Sequence, residues 1–366
     1  MTEKYRADQV GSLLRPGQLL AARRAHDAGE VSSAALREIE DAAIETAAIE
    51  TAVRAQEATG ISVVTDGEFR RRDFRSGFAQ AVDGIELSAW DMPWHSAEGM
   101  TKLRSIAFTA TGRLKQRKRL AGDEVAYVRS LTGVPVKATL IAPGFLADRF
   151  WKDGVTDDCY SSREEFAADV AAITRAEIEA LIADGVQYIQ LDNPGYGAYL
   201  GPHAGHDPAG FERVLSADIA AVEGIARSGR VTIGLHVCRG NQSSKWMGEG
   251  DYEPIAEELF ARLPADRLLL EYDDERAGGF APLRFVPRGT VTVLGLVSSK
   301  TGTPENPDEL RRRIDEAARY ADYDDLALSP QCGFASVAES GNLLTEAEQY
   351  AKLKLVADVA RSVWNE

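Results

Sequence analysis

The chain of 366 residues has few cysteines, no long apolar segment and no excess of positive charge, and each absence excludes a class of protein. Three cysteines are too few for a disulfide framework, so the sequence predicts a reducing compartment, the cytoplasm. No apolar run approaches the roughly 20 residues that span a bilayer, and the first residues lack the apolar stretch of a secretory signal. The formal net charge of −15 argues against binding to nucleic acid or to anionic lipid, because both attract basic surfaces.

The sequence does contain a regular alternation of short apolar runs and longer amphipathic segments. The short runs are apolar on both faces, which is typical of parallel strands covered by helices. The segments between them carry apolar residues at helical spacing, most clearly at 162–184 and 308–321. Strands are predicted near residue 10 and at 62–65, 136–141, 188–191, 231–236, 268–271, 291–296 and 326–328.

Eight strand–helix units predict an α/β fold, a (β/α)8 TIM barrel. An open doubly wound sheet is the alternative, but no G-x-G-x-x-G follows the first strand. The extra length between the second and third strands predicts an insertion hairpin at 84–87 and 105–109. Loops at 193–210 and 239–254 follow strands, and loops at that end of a barrel build active sites. Without a linker or repeat, the sequence predicts one domain over residues 1–366.

Four side chains with metal-binding chemistry lie at the ends of predicted strands. His236 and Cys238 are two residues apart and therefore project to the same side. Glu271 closes an apolar strand and Cys332 follows another, and strand ends of a barrel converge on one face. Two thiolates, an imidazole and a carboxylate suit Zn²⁺, which accepts sulfur, nitrogen and oxygen ligands.

Each of these residues also has a purely structural interpretation. Cys238 could be a core residue beside a hydrogen-bonded histidine, and Cys332 could be a small apolar filler. A carboxylate at the end of an apolar strand is costly to bury unless it is paired or bound to a metal. Glu271 could therefore form a salt bridge to Arg276 or Arg284.

Six short motifs occur in order along nearly the whole chain. They are Val10-Gly11-Ser12 with Arg15-Pro16, Asp66-Gly67-Glu68-Phe69, Ile189-Gln190-Leu191-Asp192-Asn193-Pro194, His236-Val237-Cys238, Leu270-Glu271 and Ser329-Pro330-Gln331-Cys332-Gly333. Together they resemble the C-terminal catalytic barrel of cobalamin-independent methionine synthase, and more closely the short single-barrel relatives of that enzyme.

The resemblance implies a metal site, two substrates and a set of binding residues. It implies that zinc binds the sulfur of homocysteine as a thiolate, which attacks the N5-methyl group of a methyltetrahydrofolate. It implies that a serine hydroxyl and backbone groups hold the amino acid while two carboxylates hold its ammonium group. The residues so implied are His236, Cys238, Glu271 and Cys332 for zinc, and Gly11, Ser12, Glu68 and Asp192 for the amino acid.

The substrate residues have structural alternatives of their own. Gly11 and Ser12 could form an ordinary turn, and Glu68 could belong to an ion-pair cluster with the neighbouring arginines. Asp192 precedes Asn193-Pro194 and could initiate a turn through its side chain.

The sequence departs from the family pattern on the side of the methyl donor. The family's proton-donating histidine follows the seventh strand, whereas the matching stretch here reads Gly295 to Lys300 and has Ser298 at the matching position. Lys300 could donate a proton only with a lowered pKa, and His203 or His206 could reach the site from a glycine-rich loop. Aromatic residues in the presumed loops could wall a donor pocket: Trp90, Trp94, Trp151, Tyr196, Tyr199, Trp246 and Tyr252.

Three functional hypotheses follow from the sequence. The first is a zinc-dependent thiol methyltransferase that acts on homocysteine, with the catalytic acid unassigned. The second keeps the zinc-bound thiolate and changes the electrophile to an epoxide or a different methyl donor, since a strained ring needs less help from an acid. The third is a non-catalytic protein that binds zinc and an amino acid.

Overall fold

The computed structural model describes residues 4–32, 34–36, 38, 48–96, 98–201, 207–338 and 341–365. Six parallel strands form one sheet in chain order, each buried along its whole length. A separate antiparallel pair precedes them. The strands are β1 Val82–Ser96, β2 Gly99–Gln116, β3 Lys137–Ile141, β4 Tyr188–Asp192, β5 Thr232–Val237, β6 Arg267–Glu271, β7 Val291–Val297 and β8 Leu326–Pro330.

An α-helix follows five of the six parallel strands, whereas β6 and β7 are joined by the short 3-10 helices Glu275–Ala277 and Ala281–Phe285 in place of the predicted α-helix. The longest described helix follows Ser162, whose side chain accepts a hydrogen bond from the amide of Glu165. Within the described ranges, no helix is both long and apolar enough to cross a membrane. The α-helices in these ranges are α1 Gly17–Asp27, α2 Ile49–Thr59, α3 Ser76–Ala81, α4 Gly122–Leu131, α5 Pro143–Arg149, α6 Arg163–Ala183, α7 Pro208–Val222, α8 Glu253–Arg262, α9 Pro307–Ala317 and α10 Glu346–Trp364.

Two chain segments close the ring without forming regular strands. Ala7 makes a parallel bridge to Leu328 in β8, and Val64 makes one to Val136 just before β3. The two segments contact each other where the amide of Ser62 donates to the carbonyl of Ala7 at 2.9 Å. The six strands and these two segments together form the eight-membered wall of the barrel, as the sequence predicts.

The prediction of full strands near residue 10 and at 62–65 is wrong, because these segments make only isolated bridges, at Ala7 and Val64, and a side chain pairs the backbone of Thr65. Gln56 of α2 donates to the carbonyl of Thr65 at 3.0 Å and accepts from the amide of Thr65 at 2.9 Å. The same side chain accepts a hydrogen bond from Gln9 at 2.7 Å. Backbone groups that a strand ladder would pair are thus satisfied by a buried amide.

Replacing Gln56 with leucine is expected to destabilise the barrel. The fully buried amide pairs both backbone groups of Thr65, and leaving them unpaired should lower the free energy of unfolding by about 3 kcal/mol. Urea unfolding followed by circular dichroism measures this change. Gln80→Leu, at an exposed position on α3, is the matched control, and an equal loss in both variants would contradict the explanation.

The insertion hairpin is longer than the sequence predicts. β1 and β2 pair from Val82↔Gln116 to Ser96↔Gly99, well beyond the predicted segments 84–87 and 105–109. The backbone amide of His95 in β1 donates to the carbonyl of Trp246 at 2.7 Å, and the backbone carbonyl of His95 accepts from the amide of Trp246 at 3.1 Å. The hairpin therefore lies against the loop that follows β5, at the carboxyl end of the barrel.

Candidate active site

The ends of β5 and β8 bring an imidazole and two thiols together. One ligand atom from each of His236, Cys238 and Cys332 lies within 4.8 Å of the other two, and all three side chains are buried. His236 and Cys238 share a direction because side chains alternate along β5, whereas Cys332 comes from the loop after β8. Two thiols and an imidazole form a donor set suited to Zn²⁺, so the residues present fit the metal that the resemblance implies.

A carboxylate on the neighbouring strand fixes the orientation of the histidine. Asp192 of β4 pairs in register with His236 of β5. Nδ1 of His236 lies 2.8 Å from Oδ1 of Asp192, and the side-chain amide of Gln190 donates to the same oxygen at 2.8 Å. A histidine that donates from Nδ1 keeps Nε2 available as a ligand, and carboxylate partners of this kind orient metal-binding histidines.

The pKa values of the three clustered groups are shifted in different directions. The hydrogen bond from the Cys238 thiol, assisted by His236, holds the pKa of Cys332 well below its usual range despite burial. The same hydrogen bond, together with burial, raises the pKa of Cys238. Burial lowers the pKa of His236, but its hydrogen bonds to Asp192 and Cys332 outweigh burial and raise that pKa to about 10. Cys332 is therefore the first thiol to ionise, and metal binding would release the remaining protons.

Glu271, the fourth predicted ligand, does not belong to this cluster among the described residues. Its Oε1 lies 3.1 Å from Nζ of Lys300, and its Oε2 accepts a hydrogen bond from the amide of Arg239 at 2.7 Å. Arg276 lies 3.8 Å from the same carboxylate, in line with the salt-bridge interpretation, whereas Arg284 pairs with Glu253 instead. A role for Glu271 as a zinc ligand stays a prediction.

A cavity opens onto the cluster and joins it to three of the four predicted substrate residues. It encloses about 820 Å³ of empty volume, including its open mouth, a size suited to small molecules. Its lining includes Ser12, Glu68, Asp192, His236, Cys238 and Cys332.

The fourth predicted substrate residue, Gly11, does not belong to the cavity lining formed by the described residues. Its φ of +143° and its close approach to Thr139 require glycine, because a Cβ there would lie 2.7 Å from Cγ2 of Thr139. Its carbonyl accepts a hydrogen bond from Thr65 at 2.6 Å. Gly11 thus places Ser12 in the lining without contributing a side chain.

The side chain of Glu68 belongs to the cavity lining. Its Oε1 accepts hydrogen bonds from Thr139 at 2.8 Å and Arg71 at 3.3 Å, whereas its buried Oε2 has no partner among the described residues. Burial raises the pKa of Glu68 to about 7, with Arg71 opposing and Asp192 reinforcing the shift. The ion pair with Arg71 therefore involves only Oε1, and Oε2 remains available to accept a hydrogen bond from a ligand.

The hairpin supplies a wall of the cavity that the sequence predicts only in part, through Trp90 and Trp94. Trp90, Met92 and Trp94 of β1 line the cavity together with Ser105 of β2, and Ser105 donates to Gln242 at 3.1 Å. The period-two spacing of these three large side chains was an available signal. Of the aromatic residues expected at a donor pocket, the lining includes Trp90 and Trp94 but not Trp151, Tyr196, Tyr199, Trp246 or Tyr252.

The two residues considered for proton donation after β7 lie outside the cavity lining given by the described residues. Ser298 is half-buried, and its amide donates to Glu305 at 2.8 Å. Lys300 has a raised pKa, because Glu271 and Asp273 together outweigh the effect of burial. This direction does not support the hypothesis of a lysine acid with a lowered pKa, and the catalytic acid stays unassigned. His203 and His206 lie outside the described residues.

Comparison with known proteins agrees with this geometry. Residues 10–362 match the family model described as the cobalamin-independent synthase catalytic domain. YxjG, an uncharacterized protein of Bacillus subtilis, is 39% identical over 98% of this chain and 95% of its own length. The methionine synthase of Pyrococcus abyssi is 26% identical over 98% of this chain and 92% of its own.

A solved structure also shares the fold. A Listeria monocytogenes protein, provisionally assigned as a vitamin-B12 independent methionine synthase, superposes with a TM-score of 0.75 and 28% identity over the full length of both chains. The match confirms the predicted barrel. Because the family model matches residues 10–362, almost the whole chain, this protein belongs to the family of cobalamin-independent synthase catalytic domains.

Proposed function

We propose that the protein is a zinc-dependent thiol methyltransferase that converts homocysteine to methionine. The observation that carries the proposal is the buried cluster of His236, Cys238 and Cys332 at the base of a cavity. Membership of the synthase family supports methyl transfer as the reaction class. Zn²⁺ bound by these three residues would lower the pKa of a substrate thiol and keep its sulfur nucleophilic.

The cavity matches the amino-acid end of homocysteine. Glu68 and Asp192 both line it, and the charge of Asp192 helps to raise the pKa of Glu68. A substrate ammonium group between them would relieve that repulsion and pair the free oxygen of Glu68. The hydroxyl of Ser12 lies in the same lining and can bind the substrate carboxylate.

The hairpin side of the cavity suits a methyl donor with a flat ring system. Trp90, Met92 and Trp94 supply flat and polarizable surfaces, and Arg75 and Arg149 suit a donor that carries carboxylates. 5-Methyltetrahydrofolate has both properties. In the transfer, the thiolate sulfur forms a bond to the methyl carbon while the carbon–nitrogen bond breaks, and the leaving nitrogen keeps the electron pair and takes up a proton.

A second candidate keeps the thiolate and changes the electrophile. Neither Ser298 nor Lys300 belongs to the lining formed by the described residues, so the position that carries the family's proton donor offers no acid to the cavity. An epoxide needs less assistance to its leaving group than an amine does, because ring opening relieves strain. This observation favours testing epoxides beside methyl donors.

The test is turnover by the zinc-loaded protein with homocysteine and a panel of electrophiles. We expect zinc-dependent formation of methionine from 5-methyltetrahydrofolate, measured by mass spectrometry with mono- and polyglutamate forms compared. S-alkylated product from epoxides alone would replace the proposal with the second candidate. Stoichiometric zinc and tight homocysteine binding without transfer from any donor would favour the non-catalytic hypothesis.

A further inference from the structure

One buried side-chain amide connects two parts of the predicted amino-acid site. Gln190 is fully buried and lies two residues before Asp192 on β4, so the two side chains point to the same side of the sheet. Its Nε2 donates to Oδ1 of Asp192 at 2.8 Å and to the carbonyl of Val10 at 2.7 Å. Val10 lies two residues before Ser12, so this amide contacts both a carboxylate of the cavity and the segment that carries its serine.

A buried ammonium group determines which way the amide of Gln190 points. The side chain of Lys137 is fully buried, and its Nζ donates to Oε1 of Gln190 at 2.7 Å and to the carbonyl of Gln9. An ammonium group can only donate hydrogen bonds, and a backbone carbonyl can only accept them. The amide oxygen must therefore face Lys137, and the amide nitrogen must face Val10 and Asp192.

The contacts of Asp192 leave one of its oxygens for a ligand. Oδ1 accepts the hydrogen bond from Gln190 and lies 2.8 Å from Nδ1 of His236. Oδ2 has no hydrogen-bond partner among the described residues, and Asp192 belongs to the cavity lining. Because both neighbours hold the same oxygen, they fix the plane of the carboxylate and keep Oδ2 available.

We infer that Gln190 is a positioning residue that aligns Asp192 and Ser12 for the amino-acid end of homocysteine, with Lys137 fixing its orientation. The inference rests on the proposed function and concerns only how the substrate is held. The ammonium and carboxylate groups of an α-amino acid are attached to one carbon atom, so the protein groups that bind them must keep a fixed separation. A planar amide bonded to both parts of the site sets that separation before the substrate arrives.

Gln190→Met tests the inference, because methionine fills a similar volume but donates no hydrogen bond. The dissociation constant of homocysteine, measured by calorimetry on the zinc-loaded protein, should rise about 30-fold, since a hydrogen bond to a charged group is lost. Propane-1-thiol presents a thiol without the amino-acid end, so its dissociation constant should stay unchanged. Equal losses for the two thiols, or an unchanged value for homocysteine, would overturn the inference.

Gln190→Glu repeats the test with the contact to Lys137 preserved. Glutamate still accepts a hydrogen bond from Lys137, but a carboxyl group donates at most one hydrogen bond where the amide donates two. Homocysteine should again bind about tenfold more weakly while propane-1-thiol is unaffected. Homocysteine binding equal to that of wild type would contradict the role of the two donated hydrogen bonds.

Gln56→Leu is the control for a general loss of stability. Gln56 is an equally buried amide of the barrel, but its hydrogen bonds go to Gln9, Thr65 and Ala52. This variant should leave the ratio of the two dissociation constants at the wild-type value, and a change equal to that in Gln190→Met would overturn the inference. Wild-type protein that binds homocysteine no more tightly than propane-1-thiol would instead overturn the proposed substrate.

Discussion

Replacing Cys238 or Cys332 with alanine is expected to abolish stoichiometric zinc binding and methyl transfer together. Each variant removes one of two thiols from a cluster of three buried groups. Zinc binding to protein sites carries an apparent free energy of about 10–16 kcal/mol shared among the ligands, so losing one thiolate should weaken affinity roughly 1000-fold. Metal analysis after gel filtration and a methionine assay measure the two losses.

Cys159→Ala is the matched control for these variants. Cys159 is half-buried, and its thiol donates to the carbonyl of Thr111 at 3.4 Å, away from the cavity lining. The control should retain zinc and turnover. Full turnover with stoichiometric zinc in either Cys238→Ala or Cys332→Ala would show that the clustered thiols do not hold the metal.

Glu68→Gln is expected to raise the KM for homocysteine about 100-fold while leaving zinc content unchanged. The variant preserves the size of the side chain but removes the charge of a cavity-lining carboxylate that has one oxygen without a partner among the described residues. A charge-assisted hydrogen bond contributes about 1.5–3 kcal/mol, which sets the size of the effect. Glu124→Gln is the control, because Glu124 also pairs with Arg71 but does not belong to the cavity lining. An unchanged KM in Glu68→Gln would contradict the assignment.

The pH dependence of the wild type checks the same contact. Glu68 must be ionised to accept an ammonium group, and burial raises its pKa to about 7 in the field of Arg71, Asp192, Arg15 and Asp66. Its ionised fraction therefore rises with pH, and the KM for homocysteine should fall about tenfold between pH 6 and pH 8. The Glu68→Gln variant should lose this dependence, whereas an identical pH profile in both proteins would assign the titration to another group.

The parallel strands were predictable because burial on both faces leaves a continuous apolar run. The predicted ends of β3 to β8 lie within two residues of the observed ones. The first two strand positions were not predictable in detail, because the two segments make only isolated bridges and the side chain of Gln56 pairs the backbone of Thr65, which leaves no periodic signal. The full hairpin was missed because β1 is mostly exposed, so its alternation does not mark a core.

The cluster of His236, Cys238 and Cys332 was predictable because two-residue spacing and strand ends determine where the three side chains meet. The position of Glu271 was not, because a strand-end carboxylate is equally compatible with a metal and with a salt bridge. Only the folded structure shows that Nζ of Lys300 lies 3.1 Å from Oε1 of Glu271. The raised pKa of Lys300 also depends on carboxylates from another strand, so the sequence analysis could not determine its direction.

X-ray absorption spectroscopy at the zinc edge tests the central claim most directly. The zinc-loaded protein should show two sulfur ligands and one imidazole nitrogen, contributed by Cys238, Cys332 and His236. Addition of homocysteine should increase the count to three sulfurs. A zinc environment without sulfur, or one in which homocysteine adds no sulfur ligand, would contradict the account.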